Sequence, residues 1–152
     1  MPLASLDRSL ILFFRKISTP LARLSLFIVF FWFGILKVLG ESPASPLVER
    51  LFENTIPIVS FETFIIFFGL FECLIGLLFL IKGAERWVFP LLLIHMLTTL
   101  GPLVLLPQET WSSFLVPTME GQYIIKNLVI IALAIGIAAH LRPLKQGPKG
   151  LV

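Results

Sequence analysis

Apolar residues run through this chain in four long stretches divided by short polar punctuation, and that pattern predicts four helices that cross a membrane. A crossing helix needs about 20 apolar residues to span ~30 Å of hydrocarbon. Residues 22–40, 61–81, 87–106 and 123–141 each meet that length. Gly40-Glu41-Ser42-Pro43 ends the first stretch, and Lys82-Gly83-Ala84-Glu85-Arg86 forms a tight turn between the second and third. Pro107-Gln108-Glu109 closes the third, and Arg142-Pro143 closes the fourth. In lipid each segment must satisfy its own backbone N–H and C=O groups, so separate apolar stretches of this length are read as helices. The expected fold class is all-α: an integral membrane four-helix bundle over 22–141, with an N-terminal interfacial amphipathic helix over 1–20 and a cytoplasmic tail over 142–152.

The amphipathic helix is read from Leu6, Leu10, Phe13, Phe14 and Ile17, which fall near helical spacing with Asp7, Arg8, Arg15 and Lys16 between them. Such a segment lies along the inner leaflet rather than crossing it, and Pro20 is expected to stop it before the first span. Between the first and second spans, Ser45-Pro46 followed by Leu47, Val48, Leu51 and Phe52 suits a short amphipathic helix with proline in its first turn. The loop after the third span carries Trp111, Phe114, Leu115 and Val116. These two loops either close as a lid over one end of the bundle or anchor in the membrane interface through their aromatic residues.

Composition agrees with lipid surroundings. Of 152 residues, 57% are hydrophobic and only 14% charged, with a mean hydropathy of +0.98; a soluble domain carries roughly a quarter charged residues. A formal net charge of only +3 argues against nucleic acid as a partner, and its distribution reports topology. Arg8, Arg15, Lys16, Arg23, Lys82, Arg86, Arg142, Lys145 and Lys149 fall on one side of the four spans. Arg50 stands on the other side with Glu41, Glu49, Glu53, Glu109 and Glu120. The positive-inside rule makes the first set cytoplasmic, so a multi-pass plasma (inner) membrane protein with both termini in the cytoplasm is expected. The first apolar burst, Leu10 to Phe14, is followed by Arg15-Lys16 rather than a small-residue cleavage site, unlike a signal peptide. Cys73 is the single cysteine, which excludes a CxxC redox pair and reads as a small packing residue.

Ionisable groups inside a span are costly and face the bundle interior, so each is a candidate. Glu72 is the sharpest, about eleven residues into the second span, with Gly69 and Gly76 on its own face where another helix can approach. Lys37 and Lys126 each lie about one turn inside a span end, and each either snorkels outward or reaches inward to Glu72 or a ligand. Gln122, Tyr123 and Asn127 add hydrogen-bonding groups around Lys126. His95 shares a face with Thr98, Thr99 and Pro102. Because Pro102 has no N–H, a kink that frees the Thr98 carbonyl is expected there. Glu62, at the start of the second span, is read as a charge complementing the helix dipole. His95 and His140 differ by roughly 10 Å in depth, so a bis-histidine haem is not expected, and no residue cluster suggests a metal site.

Three short motifs carry a family resemblance. Gly34-Ile35-Leu36-Lys37 resembles the G-x-x-K end of the first span in the DoxX-like family of small four-helix membrane proteins. Gly69-Leu70-Phe71-Glu72 followed by Gly76 resembles that family's G-x-x-E-x-x-x-G second helix, and Glu120 to Asn127 its lysine-bearing entry to the fourth. The resemblance implies a four-helix bundle associated with quinone-linked or thiol-linked redox systems, without one defined activity. The leading expectation is therefore an accessory subunit that holds a quinone or lipid-like molecule, with a redox partner subunit, the lipid bilayer and a homo-oligomer as candidate partners. Lys37, Glu72, His95, Thr98, Thr99, Tyr123, Lys126 and Asn127 are its candidate site. A structural assembly or quality-control factor and a small-solute transporter are the alternatives.

Overall fold

The computed structural model describes residues 2–55 and 58–141. The expected tail, with Arg142, Lys145 and Lys149, lies outside the described residues. The chain folds as a helical bundle in which four helices are long and apolar enough to cross a membrane: Leu3–Val38, Phe61–Leu80, Glu85–Leu105 and Met119–Ala138. In element order these are α1 (Pro2–Val38), α3 (Phe61–Leu80), α4 (Glu85–Leu100) continued by α5 (Pro102–Leu105), and α7 (Met119–Ile125) continued by α8 (Asn127–Ala138). The connection from α1 to α3 carries α2 (Ser45–Glu53), and that from α5 to α7 carries α6 (Pro107–Thr110), β1 (Trp111–Ser113) and β2 (Val116–Pro117).

Pro20 does not end a separate N-terminal helix. The expected helix over 1–20 and the first span are one rod, α1, with Pro20 inside it. Proline removes the bond to the carbonyl four residues back, here that of Lys16, but both residues lie on the exposed surface, where that carbonyl can find another partner. At 37 residues the rod is ~55 Å long by the standard helical rise, well beyond ~30 Å of hydrocarbon. Residues 3–16 touch no other element closely enough to be covered.

The other boundaries differ from expectation by a few residues, for local reasons. The fourth long helix starts at Met119 rather than near 123, because the Thr118 side chain accepts from the Gly121 N–H (3.1 Å) and caps it. The third starts at Glu85, so this residue belongs to a helical first turn rather than to the preceding loop. It breaks at Gly101 before Pro102 as expected, but the Thr98 carbonyl is not freed: the Gly101 N–H donates to it at 3.2 Å. A small antiparallel hairpin, β1 with β2, was not anticipated.

Packing is tightest between α1 and α3. A Cβ placed on Gly34 would lie 2.6 Å from the Gly69 carbonyl oxygen, and one on Gly69 would lie 2.6 Å from the Gly34 oxygen. Gly76 meets the backbone of Phe31 in the same way, at 2.9 Å. The helices therefore touch backbone to backbone, which only glycine permits. Toward the end where α3 finishes, Leu26, Phe30, Ile75, Phe79, Leu92 and Met96 form the core with Val88, Ala134 and Ile137.

Candidate functional site

The polar residues of the spans meet where the glycine seam ends. Lys37, on the last turn of α1, is aimed at Glu72 because Gly34, one turn earlier, has brought α1 against α3. Its Nζ donates to Glu72 Oε2 at 2.6 Å. On the other side of the carboxylate, His95 Nε2 lies 2.8 Å from Oε1. All three side chains are about 95% buried. Among the described residues, no buried side-chain nitrogen or oxygen lacks a hydrogen-bond partner. A buried charge without a partner is severely penalised, and here one carboxylate serves two donors.

Thr99 extends the network. Its hydroxyl lies 3.2 Å from His95 Nδ1 and 2.8 Å from the His95 carbonyl oxygen. A hydroxyl has one proton to donate and can also accept. With Nδ1 bare, the hydroxyl donates to the ring; with Nδ1 protonated, it accepts from the ring and donates to the carbonyl. The same atoms therefore close their hydrogen bonds with or without one more proton. Thr98, the other threonine of this turn, bonds to the His95 carbonyl at 2.7 Å and faces outward.

Aromatic rings wall this centre. Phe68 stacks on His95 (5.2 Å between centroids, 9° between planes), and Phe30 meets the imidazole edge-on at 5.2 Å. The Lys37 ammonium lies 5.7 Å from the centre of the Phe68 ring. The stack continues away from the core: Phe64 on Phe68 at 5.6 Å, then Phe52 of α2 on Phe64 at 4.6 Å. The sequence reading passed over these rings, although Phe64, Phe68 and Glu72 recur every four residues on α3 and so share a face.

The residues of the fourth helix do not join. Lys126 is exposed and lies over the Tyr123 ring at 4.8 Å, with Tyr123 itself 63% exposed. Asn127 is half-buried on the same stretch. Lys126 takes the outward course, because Gly121 and Ile124 turn the opposite face of α7 inward. Two shallow grooves, lined by Phe27, Phe31 and Trp32 and by Trp111, Phe114 and Leu115, include none of the centre's residues.

A second, partly buried ion pair sits at the opposite end of the core. Arg23 of α1 pairs with Glu85 at the start of α4, and also donates to the Phe79 carbonyl at 3.4 Å. The sequence places Glu85 in the turn between the second and third spans and counts Arg23 among the cytoplasmic positive charges, without pairing them. The missed signal is that Arg23 lies on the same strip of α1 as Lys37, fourteen positions on. Arg23→Ala is expected to lower stability by about 2 kcal/mol by stranding the Glu85 carboxylate. Arg23→Ala with Glu85→Ala should recover most of that in detergent unfolding titrations.

Comparisons with protein-family models, with curated proteins and with solved structures each returned no match.

Proposed function

We propose that this chain is an integral membrane accessory subunit of a redox system, DoxX-like in kind, whose Lys37–Glu72–His95 centre manages protons for a bound quinone or lipid-like molecule. The observation that carries the reading is the buried carboxylate held between Lys37 and His95, with a hydroxyl that accommodates either proton count on the imidazole. The placement that goes with it is the plasma (inner) membrane with both termini cytoplasmic. Arg8, Arg15, Lys16, Arg23, Lys82 and Arg86 gather toward one end of the spans and Glu41, Glu49, Glu53, Glu109 and Glu120 toward the other, which supports that orientation. The overhanging first half of α1, continuous with the span, would then project from the membrane on the cytoplasmic side.

Neither groove reaches the centre, and its polar atoms are paired with one another, so a carbonyl-bearing ligand would have to displace one of these contacts, with Lys37, His95 and Thr99 as the donors that would hold it. A quinone, when bound, would supply two-electron, two-proton chemistry, with the electrons coming from a partner subunit. This chain's part is to keep Glu72 and His95 dry, fix the imidazole with Thr99 and Phe68, and pass or hold a proton at Nδ1. Mass spectrometry of the complex purified from native membrane, and of its organic extract, tests the reading. A quinone or other isoprenoid in stoichiometric amount, lost in Glu72→Gln, is the expected result. Bulk phospholipid alone, unchanged in Glu72→Gln, would overturn it.

The glycine seam favours a second reading, in which the centre only locks α1 against α3. That reading expects Glu72→Gln to lower the amount of protein while the surviving fraction works normally.

A further inference from the structure

The centre is walled very differently on its two sides. Toward the end where α3 finishes, Phe30, Ile75, Phe79, Leu92 and Met96 fill the space between helices. Toward the other end the cover comes from the connecting segments, where Phe52 of α2, Thr110 of α6 and Gly121 and Ile124 of α7 are buried. α1 stops at Val38, one residue past Lys37, and the Val38 side chain abuts Gly69. α3 continues from Gly69 to Phe61, so it stands ~12 Å proud of the end of α1. The short helix α2 lies across this step, and Phe52 is its buried residue. From Phe52 one file of rings, Phe64 then Phe68, leads to His95.

α2 packs through the buried Phe52 and the half-buried Leu47, Val48 and Leu51, and its outer side is tied to α6 by an exposed ion pair, Arg50 to Glu109 at 3.3 Å, of a kind that holds weakly. The chain enters it past Gly40, whose φ of +77° caps α1 with the Glu41 N–H donating to the Leu36 carbonyl at 2.8 Å, and then through the exposed Glu41, Pro43 and Ala44. It leaves through the exposed turn at Asn54 and Thr55.

From these features we infer that α2 is a hinged lid and that Phe52, Phe64 and Phe68 are the plug beneath it, so that the centre exchanges water and protons with the α2 end of the bundle alone. When the lid lifts, Phe52 leaves Phe64 and the two rings below can turn aside. Water then reaches His95, where hydronium gives up a proton to Nδ1 and leaves as water, while the Thr99 hydroxyl turns to its carbonyl. Swinging back, Phe52 closes the file again. The inference needs the helices to lie in a membrane but does not depend on the redox reading or its ligand.

Cysteine accessibility in sealed membrane vesicles of both orientations tests it. With Cys73→Ala removing the native thiol, Thr99→Cys reports on the centre and Glu53→Cys, on the exposed rim of α2, marks the lid side. The probe is a charged, membrane-impermeant methanethiosulfonate. Phe52→Ala is expected to raise the rate at Thr99→Cys roughly tenfold by shifting the lid toward open, and only in the orientation in which Glu53→Cys reacts. Arg50→Glu, which leaves the ring file intact and repels Glu109, should raise it in the same direction by less. Unchanged rates in both variants, or reaction from the opposite side, would overturn the inference. Because the readout is thiol chemistry, an absent redox ligand leaves this result untouched.

Discussion

Replacing Glu72 by glutamine is expected to lower the stability of the bundle by about 3–5 kcal/mol, the range for removing one partner of a buried ion pair. The Lys37 ammonium is 6% exposed, too deep to recover hydration without leaving its helix. The amide that replaces the carboxylate keeps one acceptor for two donors, and its NH2 brings a further donor into the same space. Unfolding in mixed detergent micelles measures the loss directly. The paired variant Lys37→Met with Glu72→Met carries no unpaired charge and is expected within about 1 kcal/mol of the parent, since apolar substitutes for a whole buried pair are often neutral. That variant divides the two readings of the site. A stable bundle that still retains its ligand would mark the centre as a packing lock, whereas a stable bundle without it would mark the charges as chemistry. A loss below about 1 kcal/mol for Glu72→Gln would contradict the burial and pairing described for it.

Gly34→Val is expected to cost about 3 kcal/mol, the upper end of the range for overpacking. Its Cβ would meet the Gly69 carbonyl oxygen at 2.6 Å and the Cys73 nitrogen at 2.8 Å. These are backbone atoms of α3, so no rotamer change relieves the clash, and the helices must part. Parting them also lengthens the Lys37–Glu72 contact one turn away. Gly136→Ala is the matched control: nothing lies within 4 Å of its added Cβ, and alanine is the better helix former by roughly 0.8–1 kcal/mol. The same detergent titration should therefore move in opposite directions for the two substitutions.

Much of this could be read in the sequence because apolar runs of this length admit few solutions. The long apolar runs fixed which segments are helices, and glycines spaced around Glu72 pointed to a close neighbour. The spacing did not say which helix that neighbour was; the backbone contact of Gly34 with Gly69 does. Lys126 and Lys37 look alike in sequence, each near the end of an apolar run, yet one is exposed on Tyr123 and the other buried on Glu72. The difference lies in which face of the helix is turned inward, a tertiary fact that a short run with small periodicity does not record. Pro20 misled for a related reason. A proline ends a helix where the lost bond cannot be replaced, and its cost is lower where the freed carbonyl is exposed. The phenylalanines around His95 were invisible because, in a chain with 15 of them, rings at helical spacing are ordinary core.

The unbroken course of α1 has a mechanical consequence. Arg23 and Lys37 are separated by ~21 Å along the rod and by only about 40° around it, and one grips Glu85 while the other grips Glu72. A twist of the rod large enough to release one grip swings the other away as well. α1 therefore joins the two ion pairs through one continuous helix, without any relay of side chains between them.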